Sequence, residues 1–90
     1  MKWNSWRVLR SRNFTHVTFT LARSADVQLS VFDVSGRKVA DLVSGERPAG
    51  EHTVRWSFRD AAGKPVPVGI YHVVLQVGDR ALVQRAIRLN

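Results

Sequence analysis

The sequence predicts an all-β chain folded as an antiparallel sandwich of two sheets, with six to seven strands. Three observations predict it. Apolar residues recur with period two along most of the chain. Clusters of Gly, Pro, Asp and Ser interrupt that alternation roughly every 8–12 residues. No stretch of about ten residues or more carries a convincing 3.6-residue period. A sandwich accounts for the one-sided alternation, because each sheet buries one face against the other. Ninety residues allow one such domain and one modest core.

Residues 1–12 are read as a basic flexible leader or a linker remnant, and residues 13–90 as the sandwich. In the leader, Trp3, Trp6, Val8 and Leu9 interleave with Arg7 and Arg10, a pattern that also suits a short amphipathic segment at a membrane surface. The first strand is expected over Phe14–Ala22, with Val17, Phe19 and Leu21 inward and His16, Thr18 and Thr20 outward. The second runs from Asp26 to Val34 and turns Val27, Leu29 and Val31 inward. Ser35-Gly36-Arg37 forms a tight turn, where Gly36 takes a positive φ without a Cβ clash. Arg37–Val43 is a third strand with poorer alternation, and Ser44–Gly50 reads as a loop.

Glu51–Arg59 alternates well, setting Val54, Trp56 and Phe58 against Thr53, Arg55 and Ser57. Asp60–Gly69 holds two Gly and two Pro and reads as a long turn or crossover, with room for a short seventh strand at Pro65–Val68. Ile70–Val77 places Tyr71, Val73, Leu75 and Val77 on one face. Gly78-Asp79 is a hairpin turn. The last strand, Ala81–Leu89, is expected to bury Val83, Ile87 and Leu89, with Arg85 interrupting the stripe.

Composition excludes several chemistries. With no Cys there is no disulfide framework, no Cys-ligated zinc and no thiol nucleophile. The net charge of +7 is uneven: Lys2, Arg7, Arg10 and Arg12 precede every acid, which leaves a mildly basic body. No apolar run approaches the roughly 20 residues of a membrane span, and no apolar segment follows the basic start as in a signal peptide.

No catalytic, cofactor or metal site is expected. His16, His52 and His72 lack the close spacing of a metal pair. No Gly-x-Ser-x-Gly elbow occurs, and Gly63-Lys64-Pro65 lacks the upstream glycine and the following hydroxyl of a phosphate loop. Asp26, Asp33, Asp41 and Asp60 sit at strand ends and turns, where Asp accepts from backbone N–H groups. The aromatic residues fall mostly in apolar stripes, as core aromatics do, so nucleic acid is disfavoured as a partner.

The motif order carries a resemblance. Val27-Gln-Leu-Ser-Val-Phe-Asp-Val-Ser-Gly-Arg-Lys-Val is followed by Leu42-Val43, then by Pro48-Ala49-Gly50-Glu-His-Thr-Val-Arg-Trp56. Asp60-Ala-Ala-Gly63-Lys-Pro-Val-Pro-Val-Gly69-Ile-Tyr71 completes the series. Over residues 13–90 it resembles the Ig-like, fibronectin-III-like module shared by two bacterial families. One is the C-terminal sorting domain of type IX secretion cargo; the other is the Ig-like domain of flagellar hook-capping proteins. Carried over as fold determinants are Asp33, Gly36, Arg37, Gly50, Trp56, Asp60, Gly63, Gly69 and Tyr71.

The resemblance implies a non-catalytic module with a protein partner, either secretion machinery or assembly subunits, and with no cofactor and no small-molecule substrate. The first reading is a secretion-sorting or surface-attachment domain of a secreted bacterial protein. It places the module outside the cytoplasm, as part of a larger exported chain. The stop directly after the final strand suits a terminal tag, with Arg85, Arg88 and Asn90 as candidate partner contacts. The alternatives are a structural assembly domain of the hook-cap type and a stand-alone β-sandwich adaptor for carbohydrate or polyanion.

Overall fold

Strands form where the period-two pattern can bury a face, and residues 3–11 and 13–89 are described by the computed structural model. The strands are β1 (Trp3–Arg10), β2 (Thr15–Leu21), β3 (Ala25–Asp33), β4 (Lys38–Arg47), β5 (Gly50–Trp56), β6 (Gly69–Val77) and β7 (Arg80–Arg88). They make a three-stranded sheet, β1-β2-β5, and a four-stranded sheet, β4-β3-β6-β7. Every pair is antiparallel. Among the described residues no helix is long and apolar enough to cross a membrane.

The core lies between the sheets. Val17, Phe19 and Leu21 from β2 meet Val27, Leu29 and Val31 from β3 and Tyr71, Val73, Leu75 and Val77 from β6, all buried as the alternation predicts. On the outer face of β3, Asp41 accepts hydrogen bonds from Ser30 Oγ at 2.7 Å and Gln28 Nε2 at 3.0 Å, with Lys38 Nζ at 3.2 Å. The Ser30 hydroxyl first, then Lys38 and Gln28, hold the Asp41 carboxyl below the usual Asp range against a smaller opposing effect of burial.

Four expectations differ from the fold. Residues 3–10, read as a flexible leader, form β1, which pairs with β2 through Val8↔Val17 and Trp6↔Phe19. Opposite residues share a face, so Trp6 and Val8 pack against the core while Arg7 and Leu9 face out. Met1, Lys2 and Arg12 lie outside the described residues. β4 continues to Arg47 through the segment read as a loop, because Ser44 and Gly45 still pair with Gln28 and Val27. Register shifts in the β3–β4 ladder bury Val39 and Ala40 in succession, which explains the imperfect alternation there.

The third difference is at the end of β5. The strand stops at Trp56, and the alternation does not carry on to Arg59. Phe58 is still buried, but through a left-handed backbone with φ of 60°. Pro65–Val68 supplies only a single bridge, Arg59↔Pro65, so the seventh strand is β1.

The fourth is the face of β7. Its register with β6 sets Leu82 against Leu75, Gln84 against Val73 and Ala86 against Tyr71. The core face of β6 therefore draws in Leu82, Gln84, Ala86 and Arg88. Val83, expected inside, is 58% exposed, Leu89 is exposed as well, and Ile87 sits half-buried on the outer side.

Candidate functional site

Two turns of the same design meet at one end of the sandwich. The sequence Asp-x-x-Gly-basic occurs at Asp33–Arg37 and again at Asp60–Lys64. In the first, Asp33 Oδ1 accepts from the amides of Ser35 and Arg37, at 3.0 and 3.1 Å. In the second, Asp60 Oδ1 accepts from the amides of Ala62 and Lys64, at 2.9 and 3.0 Å. The backbone bonds match too. The Asp amide donates to the carbonyl four residues on, and the Gly amide donates back to the Asp carbonyl. Gly36 and Gly63 adopt φ of 88° and 83°, which glycine reaches without a Cβ clash.

The first turn joins β3 to β4; the second lies in the crossover from β5 to β6. The amide of Ala61 donates to the Val39 carbonyl at 3.0 Å and ties the second turn to the strand leaving the first. Between them and the Pro65–Gly69 segment lies a cleft of about 570 Å³. Its rim is apolar: Val34 is 73% exposed, Val68 58% and Ile70 41%. Tyr71 lines the cleft and is itself buried, its hydroxyl donating to the Pro67 carbonyl at 2.5 Å. Burial pushes the Tyr71 phenol above its ordinary value, with the Arg88 charge opposing. Trp56 packs edge-on against Tyr71, ring centroids 5.3 Å apart, and its Nε1 donates to the Arg59 carbonyl at 2.9 Å.

The charged groups of the cleft are already engaged. The Ser35 hydroxyl donates to Asp33 Oδ1 at 2.6 Å, and Arg37 Nε lies 3.5 Å from Asp33 Oδ2. The Ser35 hydroxyl first, then the amides of Arg37 and Ser35 and the Arg37 charge, hold the Asp33 carboxyl below the usual Asp range; burial opposes them. Each turn carboxylate spends an oxygen on its own amides, which suits holding shape rather than moving protons. Among the described residues no group of three or more His, Asp or Glu could hold a metal ion. His52 stacks on Phe19 at 5.2 Å and its Nε2 meets the Pro48 carbonyl at 2.8 Å, while His16 packs on Phe14.

Of the residues singled out from sequence, Asp33, Arg37, Asp60, Gly69 and Tyr71 line this cleft. Gly36 and Gly63 complete its turns, and Trp56 supports it from below. Gly50, with φ of 121°, opens β5 opposite Leu21 and stands apart. The structure separates the candidate partner contacts. Arg85 is exposed on the outer face of β7 opposite His72, whereas Arg88 is half-buried and donates to the Val66 carbonyl. Asn90 lies outside the described residues. Sequence reasoning missed the rim of Val34, Val68 and Ile70. At Val68 and Ile70 the signal is a β-branched residue beside Pro67 or Gly69, where no alternation demands one.

A family model for the FlgD Ig-like domain matches residues 4–80, from within β1 to the start of β7. Among solved structures, FLGD from P. aeruginosa is similar at a TM-score of 0.66 and 23% identity, over 87% of this chain and 64% of that one. This chain thus spans just under two thirds of that protein's length, and the likeness establishes a shared fold. No curated protein matches the chain.

Proposed function

We propose a function from one premise: the chain belongs to the FlgD Ig-like domain family. It is an Ig-like module resembling that of flagellar hook-capping proteins, and its role in our reading is structural assembly. The domain packs against subunits of a hook-cap type assembly outside the cytoplasm and carries out no catalysis. The observation that carries this is the family match, which spans both turn motifs and the strands that hold them. The apolar rim of Val34, Val68 and Ile70 supplies a surface for a protein partner. The secretion-sorting reading gains nothing from either comparison, and the hook-cap reading takes its place.

The test is genetic complementation in the source organism. Deleting the gene should change hook length or motility, and the wild-type gene should restore it. Val34→Asp with Val68→Asp should fail to restore it while the protein stays folded. A source without flagella, or full rescue by the double variant, would overturn the reading.

A further inference from the structure

We propose that a second cleft, of about 500 Å³, is a carboxylate-recognition site. Its walls include Asn13, Ser57, Phe58, Arg59 and Arg88, and among the described residues no Asp or Glu lines it. Arg59 Nη1 donates to the Gly63 carbonyl at 2.9 Å, and Arg88 Nη1 donates to the Val66 carbonyl. A carbonyl fixes a guanidinium without neutralising it, and each Arg keeps further N–H donors. Neither Arg59 nor Arg88 forms an ion pair among the described residues.

The site is also pre-formed. Phe58 holds the left-handed conformation, which a bulky residue adopts only where its surroundings impose it. That conformation lets the Phe58 carbonyl accept from the Val66 amide at 2.9 Å and sets its ring against Trp56, centroids 5.0 Å apart. The Arg88 guanidinium lies over the same ring, 5.8 Å from its centroid. Stacked on Phe58 and pinned by the Val66 carbonyl, this cation loses little freedom when an anion arrives.

Two guanidinium groups with no ion partner among the described residues, in one cleft, raise the local potential and fit a planar carboxylate as a fork. Phe58, Pro65 and Leu89 add an apolar wall, which suits the methylenes beside a protein carboxylate better than a bare phosphate. The carboxylate comes from an acidic side chain or from a chain terminus of a partner segment. The inference stands whether or not the partner is a hook-cap subunit.

The test is an NMR titration of the isotope-labelled chain with its terminal carboxylate converted to the amide, which removes it as a competitor. One probe peptide is blocked at both ends and carries a single Glu between Leu residues; a second has no Glu and a free terminal carboxylate. Binding by either should shift the Ser57, Phe58 and Arg59 amides, and which probe binds more tightly identifies the source. Replacing the Glu by Gln should abolish the response to the first probe. Arg59→Gln should weaken binding by about tenfold or more. Arg88→Lys, which keeps the charge and loses the fork, should also weaken it, with the fold checked in the same spectra. No shift at these amides up to about 10 mM probe, equal binding of the Gln peptide, or a larger response to inorganic phosphate than to either peptide would overturn the proposal.

Discussion

The Asp33 and Asp60 turns share length, backbone hydrogen bonds and glycine conformation, yet they are held in place by different parts of the molecule. The first is secured by its own side chains, through the Ser35 hydroxyl and the Arg37 guanidinium on Asp33. The second has Ala62 where the first has Ser35, and no ion pair holds Asp60 among the described residues. It is gripped from outside. Arg59 Nη1 reaches the Gly63 carbonyl, Trp56 Nε1 reaches the Arg59 carbonyl, and the Ala61 amide reaches Val39. The reason is topological. The first turn closes a hairpin whose two strands already pair, while the second sits in a crossover between sheets with one bridge beside it. Equivalent turn chemistry is therefore completed locally where the ladder supports it and by tertiary contacts where it does not.

The strongest way to break this comparison is Trp56→Ala. It removes a buried ring and the bond to Arg59, and should cost about 3–5 kcal/mol in denaturant unfolding. Amide exchange should accelerate at Ala62 and Lys64 more than at Ser35 and Arg37; equal acceleration would mean that the second turn does not depend on that grip. Next come Gly36→Ala and Gly63→Ala. A Cβ at either position meets nothing within 4 Å, so the cost is backbone strain alone, about 1–2 kcal/mol each. Markedly unequal costs would end the equivalence of the two turns.

Acid sharpens the contrast. Asp33 and Asp41 titrate below the ordinary Asp value of 3.8 in the fold. Their contribution is complete above that value and lost as pH falls through the lower folded values. Stability should therefore decline at the acid end, below about pH 4, from this source. Ser35→Ala should move the Asp33 midpoint, followed by carboxyl-carbon NMR, upward toward 3.8. An unmoved midpoint would show that the hydroxyl is not its main support. The smallest effect is expected from Ala62→Ser, which gives the second turn the hydroxyl of the first. It should add a few tenths of a kcal/mol, well under the ~1 kcal/mol of a typical net hydrogen bond because the site is exposed. A loss of stability would show that the outside grip leaves no room for it.

Much of this arrangement was legible in the residues. The faces of β2, β3 and β6 followed from period two, because each buries one full stripe. The face of β7 was not legible. Val83, Ile87 and Leu89 outweigh Leu82, Gln84, Ala86 and Arg88 in apolarity, and only the pairing with β6 reverses the choice. β1 was hidden by its charge, since Arg7 and Arg10 mask a strand that needs only Trp6 and Val8 to pack. At the site, the turn residues announced themselves by Asp and Gly at fixed offsets. Their convergence did not, because Asp33 and Asp60 meet only through the crossover that follows β5. Phe58 kept its burial but not its strand, a distinction alternation does not make.

The amide of Gln84 donates through its Nε2 to the Trp6 carbonyl at 2.9 Å, across 78 positions of sequence. On the ribosome, that carbonyl must wait for the whole span to be made. At ordinary synthesis rates the delay is about 4–16 s. During it β1, an edge strand of its sheet, lacks that bond, in a topology that also folds slowly because its pairings are non-local. Closing this end of the sandwich thus waits for β7, and a chaperone that shields β1 in the interval would protect the nascent chain at an adhesive stage.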